Sequence, residues 1–147
     1  HTNIFRAAVA GSAINNLNVF YHTINWKSGF PAMNYFQNGQ FKMMKPPYEN
    51  PGQFLSNSPL NHVSEIRTPL LSYAGKNDTH VDWHQSIELY LALRRLNKKT
   101  ILLLYPDESH LMLNAYNQKD LTLRILDWFN YFLKDQTAGS WITQGIM

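Results

Sequence analysis

The sequence predicts an α/β protein built on a parallel β-sheet with helices on both faces. Three observations lead there. Residues 6–11, 70–75 and 100–105 are short apolar runs with little polar alternation, as strands buried on both faces read. Helical periodicity fills the chain between and after them. The resulting order is strand, helical region, strand, helix, strand, helix, which suits right-handed crossovers within one sheet. Three strands make a thin sheet, about half of a doubly wound domain.

The first strand, Arg6-Ala7-Ala8-Val9-Ala10-Gly11, is small, apolar and ended by glycine. Ile14, Leu17, Phe20, Tyr21 and Ile24 then fall at helical spacing, which predicts a helix over 15–25. Gly29, Pro31, Gly39, Pro46, Pro47, Pro51 and Gly52 break up the following stretch, which reads as loops and short helices. Ser58-Pro59 predicts a helix start, with serine capping and proline at the first helical position. Thr68-Pro69 limits its length. Leu70–Gly75 is the second strand. Asp82, three residues before Gln85, resembles a capping box opening a helix over 83–97. Thr100–Tyr105 is the third strand, stopped by Pro106. Leu121, Ile125, Trp128 and Phe132 mark an amphipathic helix over 118–134. Residues 137–147 read as a loosely ordered tail.

Composition excludes several functions. Among 147 residues, Lys plus Arg is 13 and Asp plus Glu is 10. No Lys/Arg run of five or six occurs, so neither nucleic acid nor an anionic membrane surface is expected as a partner. No apolar run approaches the ~20 residues of a membrane span. There is no cysteine, which removes disulfides, thiolate metal sites and a cysteine nucleophile. The compartment stays open, with cytoplasm and periplasm both compatible. Aromatic residues reach 14% while charged residues are only 16%. So short a chain hides that much ring surface poorly, and either self-association or a larger parent protein is expected.

In open parallel sheets, functional groups gather beyond the carboxyl ends of the strands. Two loops leave that edge here, Lys76-Asn77-Asp78-Thr79-His80-Val81 and Pro106-Asp107-Glu108-Ser109-His110. Neighbouring strand ends lie only ~5 Å apart, so Asp78 and His110 can meet. A carboxylate beside an imidazole fixes its tautomer and stabilises the imidazolium during proton transfer. Ordinary polar surface loops are the competing reading. His80 and His84, interleaved with Asp78 and Asp82, have the i, i+4 spacing of a zinc site, but the helix start falls between them. No metal and no organic cofactor is expected. Asp107 and Glu108 either raise the basicity of His110 by proximity or merely solvate a loop.

Several segments resemble the prolyl oligopeptidase family of serine peptidases, in particular its dipeptidyl-peptidase and acylaminoacyl-peptidase branch. They are Thr68-Pro69-Leu70-Leu71, continuing through Gly75 and Asp78 to Val81; Gln85-Ser86 with Tyr90 and Ala92-Leu93; Tyr105-Pro106-Asp107-Glu108-Ser109-His110; and Asp127-Trp128-Phe129 with Phe132-Leu133-Lys134. Phe5–Gly11 and Ser58-Pro59 add to it. The resemblance implies the C-terminal part of an α/β-hydrolase across 1–147, a peptide substrate, and a triad in which Asp78 orients and His110 acts as general base. It also implies an upstream half and a β-propeller. The family's nucleophile sits in a G-x-S-x-G elbow, and no such motif occurs in this chain. Ser12 follows Gly11 without the second glycine. The serine is therefore expected from an upstream segment, and the chain alone is expected to be inactive. Ser109 stands where the family often has glycine, and Ile14-Asn15-Asn16-Leu17 lacks the family's Trp or Asp. Phe20 and Tyr21, with Trp26, are candidate substrate-pocket residues, against the reading that they pack in the core.

Other readings remain. A flavodoxin-like or nucleotide-binding domain shows the same alternation, although Gly11-Ser12 is a poor phosphate loop. A non-catalytic α/β interaction module is the main alternative. As a truncated hydrolase, the chain is expected to form a homo-oligomer or strand-exchanged dimer through its exposed sheet edge.

Overall fold

The computed structural model describes residues 4–144. Strand β1 (Ala8–Gly11), strand β2 (Leu70–Gly75) and strand β3 (Thr100–Tyr105) form one parallel sheet in the order β1-β2-β3. Register pairs Ala8 with Leu70 and Gly11 with Tyr73. On the other side, Leu70 pairs with Thr100 and Gly75 with Tyr105. The last pairing matters most, because it starts both functional loops at the same level of the sheet.

Between β1 and β2 lie helices α1 (Leu17–Tyr21), α2 (Met33–Gln37) and α3 (Pro51–Asn57), then a 3-10 turn at Pro59–His62. Helix α1 is shorter than its periodicity predicts. Asn16 starts it by accepting a hydrogen bond from the Val19 N–H, but the chain turns after His22 so that Ile24 can bridge to Pro31. These short helices share an aromatic core. Phe20, Tyr21, Phe36 and Phe54 are each no more than 2% exposed, and their rings pack at centroid distances of 5.3–6.0 Å.

The Ser58 side chain does not cap the 3-10 turn. It is buried, donates to the Phe54 carbonyl and accepts from the Leu17 N–H. It thus ties α3 to α1. A sequence motif for a cap was here a tertiary bolt.

Helix α4 (His84–Arg95) packs against β2, β3 and the 3-10 turn. Asp82 accepts from the His84 N–H at its start, but Gln85 does not complete a capping box. Its side chain turns inward instead, and Oε1 accepts from the Asn15 and Asn16 N–H groups at 2.9 and 2.7 Å. The Asn15 amide donates back to the Gln85 carbonyl. Those groups are buried, so satisfying them outweighs a surface cap. At the other end Asn97, with φ +54°, closes α4. The Lys98 N–H then reaches the Leu93 carbonyl and the Asn97 N–H the Arg94 carbonyl, the two bonds of a Schellman motif.

Helix α5 (Ala115–Lys134) begins three residues before the predicted start, because Asn114 caps it by accepting from the Tyr116 and Asn117 N–H groups. Leu121 and Trp128 of α5 pack with Leu71, Leu103 and Tyr105 of the sheet. The Tyr105 hydroxyl donates to Asp120, whose other donor is Arg124. The tail expected to be loose contains one turn of helix, α6 (Ser140–Thr143). Trp141 and Ile142, both partly buried, pack onto the α5–sheet core. Residues 145–147 lie outside the described residues. Among the described residues no helix is long and apolar enough to cross a membrane.

Two outcomes follow for stability and association. Phe36 is fully buried, so Phe36→Ala should cost about 3–5 kcal/mol; at half-exposed Val19 an alanine should change stability by no more than about 0.5 kcal/mol. Urea unfolding distinguishes them, and equal costs would contradict this core. Among the described residues strands β1 and β3 each pair on one side only, and Leu111, Leu113 and Trp26 are at least 67% exposed. The chain should therefore self-associate in sedimentation velocity runs; a monomer at all concentrations would contradict this.

Candidate functional site

The site forms where β2 and β3 end. Pairing of Gly75 with Tyr105 brings the two following loops together, and their backbones lock. The Lys76 N–H donates to the Tyr105 carbonyl and the Asn77 N–H to the Glu108 carbonyl, both at 2.9 Å. Gly75 makes this approach possible: a Cβ there would overlap the carbonyls of Glu108 and Ser109. Since the obstruction is backbone, it cannot move aside as a side chain can.

Asp78 and His110 meet on this platform. His110 Nδ1 donates to Asp78 Oδ2 at 2.8 Å. The Asp78 side chain is fully buried and that of His110 is 41% exposed. Burying a carboxylate is costly unless its oxygens are bonded. Here Oδ1 accepts from the His80 and Val81 N–H groups at 2.8 and 2.9 Å, while Oδ2 takes the imidazole. With the His110 proton on Nδ1, its Nε2 holds a lone pair. The arrangement can accept a proton at Nε2 and stabilise the resulting imidazolium through Asp78.

Glu108 braces the histidine loop. It is 3% exposed and accepts from the Leu113 and Asn114 N–H groups and from the Asn117 side-chain amide, at 2.8, 3.1 and 2.7 Å. The Leu113 N–H, followed by the Asn117 amide, holds its carboxyl below the usual carboxylate range. Glu108 is thus neither a solvating loop residue nor a partner of His110. The sequence carries a weak sign of this, since Glu108 stands six residues before the capping Asn114, within reach of a helix N-terminus that attracts anions.

His80 and His84 do not share a target. His84 bonds Asp82, whereas His80 Nδ1 lies 2.9 Å from the Asn25 amide nitrogen. Among the described residues no group of three His, Asp or Glu is arranged to hold a metal. Phe20 and Tyr21, candidates for the substrate pocket, are each 2% exposed in the aromatic core. Phe20 nevertheless underlies the site, 6.5 Å from the His80 ring. Ser12 follows β1 with φ +42°, and its buried Oγ has no hydrogen-bond partner among the described residues. Sequence reasoning missed Asn25 altogether.

A parallel sheet flanked by helices, with a buried aspartate bonded to a histidine beyond adjacent strand ends, defines an α/β-hydrolase-like core. Residues 1–136 match the prolyl oligopeptidase family of peptidases, and the chain belongs to that family. It is 27% identical over 135 residues to the uncharacterized peptidase YuxL of Bacillus subtilis, covering 90% of this chain and 19% of that protein. It is 31% identical over 81 residues to the human acylamino-acid-releasing enzyme, covering 55% of this chain and 11% of the relative. The chain thus spans only a fifth or less of these relatives. In structure it resembles Pyrococcus horikoshii acylaminoacyl peptidase, with TM-score 0.78 at 18% identity over 99% of this chain and 23% of that one. Porphyromonas gingivalis dipeptidyl peptidase 4 superposes with TM-score 0.69 at 19% identity over 88% of this chain and 16% of that one. Such identities establish a shared fold.

The brace predicts a pH signature. A depressed carboxyl contributes stability that is complete above the ordinary glutamate value and lost as pH falls through the lowered one. The pH midpoint at which the Leu113 and Asn114 amide resonances shift should lie below the value of an ordinary glutamate. A midpoint at or above that of an ordinary glutamate would contradict the assignment.

Proposed function

We propose that this chain carries the acid and base of a serine peptidase, with Asp78 orienting and His110 acting as general base toward a serine outside these 147 residues. The observation that carries the reading is the 2.8 Å bond from His110 Nδ1 to a fully buried Asp78 carboxylate. Membership of the prolyl oligopeptidase family supports it, as does the absence of a G-x-S-x-G elbow from the sequence.

In this reading His110 Nε2 takes the serine hydroxyl proton as Oγ attacks the peptide carbonyl. Asp78 stabilises the imidazolium. His110 then gives the proton to the leaving amine, and an acyl-enzyme remains. Water, deprotonated by the same imidazole, releases the acid product and restores the serine. The elbow also supplies part of the oxyanion hole, so both nucleophile and oxyanion donor would come from the upstream half. The substrate class is a peptide. A β-propeller N-terminal to the hydrolase belongs to the same proposal, in keeping with the small share of its relatives that the chain covers.

The test is peptide hydrolysis by the chain alone and by a protein that continues upstream through a G-x-S-x-G elbow. The chain alone should give no turnover of a chromogenic peptide, and the longer protein should be active. In the longer protein Asp78→Asn should lower kcat by about 10⁴-fold, because an amide facing Nδ1 selects the wrong imidazole tautomer. His110→Ala should lose a similar factor. Turnover by the chain alone, or near-full activity of Asp78→Asn, would refute the proposal.

A further inference from the structure

We propose that Asn25 fixes His80 as its neutral Nε2–H tautomer, and that His80 in turn holds the His110 ring in line with Asp78. His80 is then a positioning residue, a role that rests on the function proposed above.

The orientation of the Asn25 amide is settled by its neighbours. Its Oδ1 accepts from the Lys27 and Ser28 N–H groups at 3.0 and 3.1 Å. Only an oxygen can accept there, so the amide nitrogen is the atom that faces His80 Nδ1 at 2.9 Å. An NH₂ group is a donor and never an acceptor. His80 Nδ1 must therefore present its lone pair, and the ring proton sits on Nε2. A doubly protonated His80 would set N–H against N–H.

Asn25 is itself held. Its N–H donates to the Phe30 carbonyl, and the adjacent Trp26 N–H donates to the Thr79 carbonyl of the acid loop at 3.2 Å. The 24–31 turn, closed by the bridge of Ile24 to Pro31, is thus stitched to the loop that carries Asp78.

His80 then meets His110 ring to ring, with centroids 4.9 Å apart and planes at 67°. One hydrogen bond to Asp78 leaves an imidazole free to swing about that bond. An edge-on neighbour removes the freedom. The other groups against His80 are the Phe20 and Tyr35 rings, at 6.5 and 5.5 Å, and Asp78, which takes the His80 backbone N–H. Neutrality has a purpose here. In the proposed reaction His110 becomes an imidazolium, and a second cation 4.9 Å away would oppose it.

The test uses ¹⁵N-labelled 147-residue chain in mildly alkaline solution, read by long-range ¹H–¹⁵N correlation of the imidazoles. His80 should show a bare Nδ1 and a protonated Nε2. His110 should show a protonated Nδ1 with a low-field proton. A His80 proton on Nδ1, or tautomer-averaged shifts like those of free histidine, would overturn the proposal. Asn25→Asp keeps the Oδ1 acceptor and replaces the donor with an acceptor, so the His80 proton should move to Nδ1, as in His110 beside Asp78; an unchanged tautomer would overturn it. His80→Ala should abolish the His110 low-field signal and His80→Phe should retain it, with thermal midpoints as the folding control. A sharp, undiminished signal in a folded His80→Ala chain would also overturn it. All of these signals are read without substrate or nucleophile. Failure of the peptidase reading therefore leaves them unchanged, and their failure leaves peptide hydrolysis to be judged separately.

Discussion

The whole site depends on one steric constraint, the close passage of the histidine loop over Gly75. Parallel pairing puts Gly75 beside Tyr105, and the missing side chain lets the backbone at Glu108 and Ser109 rest directly on it. Two interloop backbone bonds then form, and Asp78 and His110 follow from them. Any larger residue at 75 would push the loops apart by more than a hydrogen bond tolerates. The chemistry of the pair is set by side chains, but its distance is set by backbone.

Around that contact the structure spends its buried polar groups on holding loops. Gln85 and Asn15 pin the segment after β1. Ser58 joins α1 and α3. Glu108 collects the start of α5, and Asn25 grips His80. Each satisfies donors that burial would otherwise leave unpaired. The aromatic core of α1, α2 and α3 is the floor beneath this network, since Phe20 and Tyr35 touch His80 from below. Core packing and site geometry are therefore one assembly, and the aromatic richness of the composition has its explanation there.

Much of this was legible in the sequence. Strands β2 and β3 have the predicted bounds, because β2 runs from Pro69 to a glycine and Pro106 stops the apolar run of β3. The parallel order followed from the alternation with helices, and the Asp78–His110 pairing from the rule that strand ends share an edge. What could not be read were contacts made across long sequence gaps. Gln85 and Ser58 both occupy positions that fit local caps, and both were recruited instead by partners about 70 and 41 residues away. Asn25 ends the stretch whose periodicity predicts a helix but lies in a turn beyond α1, and only the folded neighbours show why its amide points as it does. Glu108 and His80 were noticed as residues, but their roles depend on donors that no spacing pattern encodes.

The central claim is that this chain holds a general base awaiting a serine that it does not contain. The most direct measurement treats a protein that extends this chain upstream through a G-x-S-x-G elbow with a fluorophosphonate, which phosphonylates activated serines, and locates the label by peptide mass spectrometry. The account predicts one label, on the serine of a G-x-S-x-G elbow outside these 147 residues, lost when His110 is replaced by alanine. A label on Ser12 or on any other serine of this chain, or labelling that persists without His110, would contradict it.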